Sequence, residues 1–319
     1  MLNHKWLTAA SLSALALCAS ALAVLAADIV YPTKVRKFPD IWTSWIEGGL
    51  SRVSGDPHIA GFTNPPFDLM PKPWGWQGAI GIDYRRGGTP WHLSAQFRYS
   101  VNDSNSGTSS QTATFDPGGT ETATNKAYRR ERNWAADVMV GYDLALMHLA
   151  QVKFGIRVAE IWGQTKGQAT WCLLGPCFHQ QTRTYEQTNR FFGIGPRLAI
   201  EGSYLLWDRW FFEYNGGVAG LTGRSSANQT VAITGVFGGE NFLCLSGCPI
   251  AVSGSSINFV FNADVQGGLA YAFNRNAKVS VHYRAEGYWK ALRGFDPPGS
   301  GTNLNRIYHG PTARLTVSF

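Results

Sequence analysis

The sequence predicts an all-β fold: a single closed antiparallel barrel of about ten strands, spanning residues 41–319 and crossing a membrane with strands. Three observations carry this prediction. Ten segments alternate apolar and polar residues with a period of two, the pattern of a strand with one apolar and one polar surface. Their connections alternate strictly, four short and five long, as in barrels with short turns at one end and long loops at the other. Aromatic residues recur eight positions apart on apolar faces, at Trp76/Tyr84, Trp91/Tyr99 and Trp134/Tyr142. At about 3.3 Å per residue and a tilt near 40°, that spacing rises roughly 20 Å, close to the ~25 Å apolar band between two aromatic belts. A soluble sandwich explains each aromatic pair but not the shared spacing.

Residues 1–27 stand apart. Lys5 supplies a positive start, Leu7 to Leu25 is an Ala/Leu-rich apolar run, and Val24-Leu25-Ala26 offers tolerated residues for a cleavage at Ala27, with Ala21-Leu22-Ala23 as a second choice. This reads as a secretory signal peptide rather than a membrane helix. Leu17 before Cys18 is too large for a lipoprotein site. Residues 28–40, with Pro32 and Pro39, form a periplasmic linker. Cleavage removes one lysine and no acid, leaving 27 basic against 21 acidic residues. No Lys/Arg run exceeds two, so the basic balance does not point to nucleic acid; single cations spaced along strands suit a lumen.

Ile41 to Ser51 is a weak first strand. Trp76 to Tyr84 is clearer, with Trp76, Ile80, Ile82 and Tyr84 opposite Gln77 and Asp83. Arg86-Gly87-Gly88-Thr89 is a tight turn. Trp91 to Val101 alternates without a fault, with His92 and Arg98 on its polar face. A hydrophilic stretch, Asn102 to Lys126, reads as a loop. The next two apolar faces, Trp134 to Tyr142 and Val152 to Val158, stand opposite Asp137 and opposite Lys153 and Arg157. A loop from Gln164 to Gln187 carries Cys172 and Cys177. Phe192 to Ile200 then lies opposite Arg197 and Glu201, and Trp210 to Val218 opposite Glu213. Gly223 to Ser256 is a second cysteine loop, with Cys244 and Cys248. Ile257 to Phe273 is the longest alternation, with Asp264 opposite, and Val279 to Ala285 faces away from His282, Arg284 and Glu286. Leu292 to Asn305 leads to the last strand, whose apolar face reads Ala313, Leu315, Val317, Phe319, opposite Arg314. Twelve strands is the alternative, with the extra pair drawn from Thr230 to Phe237.

Two close cysteine pairs in an exported chain argue for disulfides within outer loops, Cys172–Cys177 and Cys244–Cys248. Four cysteines permit three pairings, and a four-thiolate zinc site is the metal alternative, disfavoured by spacing. No cofactor or metal is otherwise implied.

Gly193-Ile194-Gly195-Pro196-Arg197, the run Val279 to Trp289 and Tyr308-His309-Gly310-Pro311 resemble the Legionella-type major outer membrane proteins, best over residues 187–319. The resemblance implies a pore-forming barrel of the Gram-negative outer membrane, with the bilayer, the barrel-assembly machinery and small solutes or ions as partners. It also implies that the terminal Phe319 serves as an assembly signal. It brings no catalytic residues and does not include the cysteine loops.

With apolar faces toward lipid, the inward set is Asp83, Arg85, Arg98, Asp137, Lys153, Arg157, Arg197, Glu201, Glu213, Asp264, His282, Arg284, Glu286 and Arg314. Buried charges must be paired or wet, so opposite charges on neighbouring strands should form ladders, with Arg284 and Arg314 beside Glu286 and Asp264 as the leading cluster. Eight strands are filled by side chains and 16–18 leave a channel, so ten should leave a narrow or gated path. Passage of small solutes through that charged lumen is the first functional expectation, with a structural or adhesive surface barrel as the alternative. A rim hydrolase is disfavoured: His309 has the parity of Phe319 and faces lipid, His92 sits near a periplasmic turn, and no Gly-x-Ser-x-Gly occurs.

Overall fold

The computed structural model describes residues 40–319 apart from 56–73, 116–118, 145–149, 174–178, 238–239, 244–249 and 297–299. The signal peptide and nearly all of the linker expected before Asp40 lie outside them. Eleven strands follow: β1 (Ile41–Gly55), β2 (Trp74–Arg85), β3 (Trp91–Phe115), β4 (Gly119–Leu144), β5 (Ala150–Leu173), β6 (His179–Trp207), β7 (Trp210–Phe237), β8 (Glu240–Leu243), β9 (Ile250–Ala272), β10 (Ala277–Asp296) and β11 (Ser300–Ser318).

Ten of these close a ring. Each long strand pairs antiparallel with its chain neighbours, β7 passes to β9, and β11 returns to β1 from Thr43↔Ser318 to Gly55↔Arg306. The seam is completed by Trp42 and Phe319, whose backbone N–H groups each donate to the other's carbonyl at 2.9 Å. β8 adds nothing to the ring. Among the described residues it pairs only with Thr234–Phe237 of β7, beyond the point where β9 ends at Val231↔Ile250. Thr230 to Phe237, the alternative source of an extra strand pair, is therefore the far end of β7, and the barrel has ten strands.

Alternation decides which face is which. Ile80, Phe97, Val138, Phe154, Ile156, Val265 and Val281 are exposed outward. The residues between them, including Arg98, Asp137, Arg157 and Asp264, are buried inside. Aromatic pairs mark the two belts. Trp42–Tyr84 and Trp91–Tyr142 lie at the turn end, and Trp76–Tyr99 and Phe97–Trp134 toward the hairpin end.

The long loops read from the sequence need correction, because much of them is strand. β3 and β4 stay paired to Phe115↔Gly119, 16 residues past Tyr99, and β5 and β6 to Leu173↔His179. The expected loop from Leu292 to Asn305 is likewise paired, from Leu292↔Leu304 to Asp296↔Ser300. The physical reason is solvent. Above the membrane both faces of a ribbon can be wet, so the apolar alternation vanishes while the backbone ladder continues. A bulge between Tyr288 and Leu292, with Lys290 at φ 63°, lets Tyr288, Ala291 and Leu292 all turn inward.

Candidate functional site

The lumen is built in layers, starting at the turn end with a cavity of about 550 Å³. Its walls are charged on both signs. Lys153 bridges Asp83 at 2.9 Å and Glu201 at 2.6 Å, and Glu201 also accepts from Gln151 and Asn215. Glu213 pairs with Lys278 and, at 3.0 Å, with His282 Nε2. Arg85 meets Asp143 at 2.9 Å, and His92 lies 3.2 Å from Asp83. Arg314 lies over the Trp45 ring at 4.3 Å and donates from Nε and Nη2 to Glu47 at 2.9 and 2.7 Å.

Above the cavity an ionic layer crosses the lumen. Arg157, with no exposed surface, donates from Nε and Nη2 to the two oxygens of Asp137 at 2.7 and 2.8 Å. This is the planar fork matched to a carboxylate. Its Nη1 reaches across to Asn262 at 2.5 Å, Asp264 at 3.1 Å and Glu286 at 2.9 Å. Arg197 grips Asp264 with two bonds of 2.5 and 3.0 Å. Arg284 donates to Glu286, and Arg98 stands 3.7–4.0 Å from Asp137, Asp264 and Glu286. Four guanidiniums thus surround three carboxylates. Gly217 makes room for one of them: a Cβ there would stand 2.6 Å from Arg197 Nη2.

Next comes an apolar layer. Ile161, Phe191, Leu221, Val260, Tyr288 and Leu292 point inward with no exposed surface. Beside it Glu131, also fully buried, accepts from Arg129, from Arg306 Nε at 3.1 Å and from Tyr308 at 3.2 Å.

The fourteen residues assigned to the lumen are buried or line the turn-end cavity. The expected ladder needs correction. Its centre is Arg157, which joins strands on opposite walls, because a narrow ring lets a long arginine span it. Arg314 meets Glu47 and Gln266 rather than Glu286 or Asp264. Glu47, Glu131, Arg129 and Arg306 went unrecognised in the sequence. A parity signal existed for two of them: Arg129 and Glu131 continue the inward row of Asn133, Ala135 and Asp137.

His309 faces outward, its Nε2 3.0 Å from Ser54 Oγ and its Nδ1 2.7 Å from Tyr283 Oη, and it takes no part in the lumen. Cys177, Cys244 and Cys248 lie outside the described residues; for Cys172 only the backbone, paired with Thr122 and Gln180, is described. Phe319 is outward and 69% exposed.

A closed ten-stranded ring with an outward apolar band is a membrane barrel. The family described as Legionella pneumophila major outer membrane protein precursor matches residues 51–318. The chain belongs to this family. Membership in a major outer membrane protein family places the barrel in the outer membrane. No curated protein sequence matches the chain. Among solved structures it is similar to the outer membrane protease OmpT from Escherichia coli, at 12% identity and a TM-score of 0.40, over 90% of this chain and 99% of that one. It is also similar to the Pseudomonas putida toluene transporter TodX, at 8% identity and 0.23, over 90% of each. For Ail of Yersinia pestis the values are 11% and 0.24, over 88% and 99%.

Proposed function

We propose that this outer-membrane barrel is a narrow pore for small ions or polar solutes, described here in its closed form, and that residues 1–27 direct its export. One observation carries the reading. The water-accessible cavity of about 550 Å³ at the turn end is lined by charges of both signs, and the buried ionic layer lies above it. A solute entering there meets paired guanidiniums and carboxylates, which can exchange partners, and then an apolar constriction of the kind that gates by dewetting. No catalysis is assigned.

The apolar layer favours a second reading. Phe191, Leu221 and Leu292 seal the lumen as a core does, which suits a barrel that presents its tall hairpins at the surface without conducting. Single-channel recording from purified protein in a planar bilayer separates the two. The pore reading expects rare, small openings, with Arg284→Ala raising the current and shifting selectivity toward cations, since one guanidinium is lost beside Glu286. Silence from both proteins, with each shown to be a folded barrel by its heat-shifted gel mobility, decides for the structural reading.

A further inference from the structure

We propose that the outward face of β4 to β7, at the height of the outer aromatic belt, binds the phosphate groups of an anionic lipid in the outer leaflet. The register sets two neighbouring rows side by side. In the upper row Arg132 pairs with Trp162 and Trp162 with Arg190. In the lower row Trp134 pairs with Glu160, Glu160 with Phe192, and Phe192 with Arg224. Three guanidiniums therefore frame an aromatic platform on four adjacent strands.

The charge is unbalanced. Glu160 accepts from Arg190 Nε at 2.7 Å and from Trp134 Nε1 at 2.9 Å, which anchors one arginine and one ring. Arg132 lies over the Trp162 ring at 4.3 Å, and Arg224 donates to the Ser255 hydroxyl at 3.3 Å. Neither has a carboxylate partner among the described residues. Arg190 remains 58% exposed despite its ion pair. Ile257 flanks the patch beside Arg224, and below it the wall is apolar, with Ile194 and Phe259 exposed to the bilayer. Guanidinium forks match phosphate oxygens, and the apolar wall beneath matches acyl chains. A ligand carrying both is a phosphorylated lipid. Arg52, over Trp74 on the far side of β2 and β3, stands apart from this patch.

The patch lies outside the barrel wall, so the inference does not depend on whether the lumen conducts. The test is native mass spectrometry of the detergent-purified protein titrated with diphosphorylated lipid A and with the same lipid after dephosphorylation. The phosphorylated form should be retained at least about ten-fold better, by an amount that falls as salt is raised, since exposed charges are screened. Arg132→Gln with Arg224→Gln should remove most of that preference, while Arg52→Gln should leave it. Equal retention of the two lipids by the wild-type protein overturns the proposal without recourse to any variant. So does a heat-shifted, folded double variant that binds as the wild type does. An equal loss in Arg52→Gln overturns it too, because attraction would then be spread over the whole surface.

Discussion

Asp264 on β9 and Glu286 on β10 are direct cross-strand partners, two buried carboxylates side by side. Like charges so placed repel, and the arrangement stands because Arg157 Nη1, from the opposite wall, bonds to both. The ionic layer is therefore a unit in which Arg157 bridges the two carboxylates while Arg197 and Arg284 each hold one of them.

Replacing Arg157 should expose that clash. Arg157→Met keeps much of the volume but leaves Asp137, Asp264 and Glu286 short of a partner. Breaking a buried ion pair by removing one member costs about 3–5 kcal/mol. Thermal unfolding of the detergent-solubilised barrel should fall accordingly, and Asp264→Asn in the same chain should restore part of the loss. Unchanged melting of Arg157→Met would show that the layer contributes nothing to stability.

The apolar layer should act on both stability and conduction. Phe191→Ala removes a ring with no exposed surface, a change that costs about 3–5 kcal/mol in a packed core. In a conducting barrel it should also widen the constriction and raise current. A stability loss with no change in current would place the barrier in the ionic layer.

Asp40 offers a pH-dependent latch outside the membrane. Its carboxylate accepts from the Gly87 N–H at 2.6 Å and from the Tyr84 hydroxyl at 3.0 Å, tying the entry of β1 to the β2–β3 turn. These bonds, the backbone one first, hold its pKa below the ordinary aspartate value. A carboxyl whose folded pKa is lowered contributes stability above its unfolded pKa and loses it as pH falls through the folded value. The Gly87 amide signal should thus titrate with a midpoint more acidic than an ordinary aspartate, and Asp40→Asn should abolish that titration. A midpoint at the ordinary value argues against the latch.

The cysteines are expected to form Cys172–Cys177 and Cys244–Cys248 bridges. Mass spectrometry of peptides from the unreduced protein should find those two links; crossed links or free thiols count against them.

Phe319→Asp should lower the amount of barrel in the outer membrane more than the activity of what arrives there. The side chain is exposed at the turn-end belt beside the seam, so its loss removes an apolar anchor. Normal membrane levels of the variant would remove Phe319 from any role in assembly.

Inside the bilayer the sequence was a good guide because lipid enforces alternation: Val138 and Val140 must face out, so Asp137 and Met139 must face in. Where that constraint ends, so does the legibility. Asn102 to Lys126 has no apolar face and reads as a loop, yet its backbone ladder continues. β1 reads weakly because Trp45 turns inward and Gly48-Gly49 break the pattern, and Glu47 is hidden with it. Phe191 shares the inward parity of Arg197, but a ring on that row breaks the polar-inside pattern, so the apolar layer is hidden. Contacts across the ring were invisible as well, since Arg157 and Asp264 are joined only when the sheet closes.

The seam between β1 and β11 has a consequence for how the chain is made. Thr43 and Ser318, whose hydroxyls bond at 2.9 Å, are 275 positions apart. The first strand synthesised therefore waits for the last before its second edge is covered. Until then β1 and β10 each present a bare row of backbone donors and acceptors, the surface that recruits other chains into aggregates. Contacts this distant in sequence form slowly. A chain that stops before Ser300 would carry two such edges permanently. It should accumulate as insoluble oligomers rather than as a nine-stranded barrel, which makes completion of the final strand the step that commits the polypeptide to a monomeric fate.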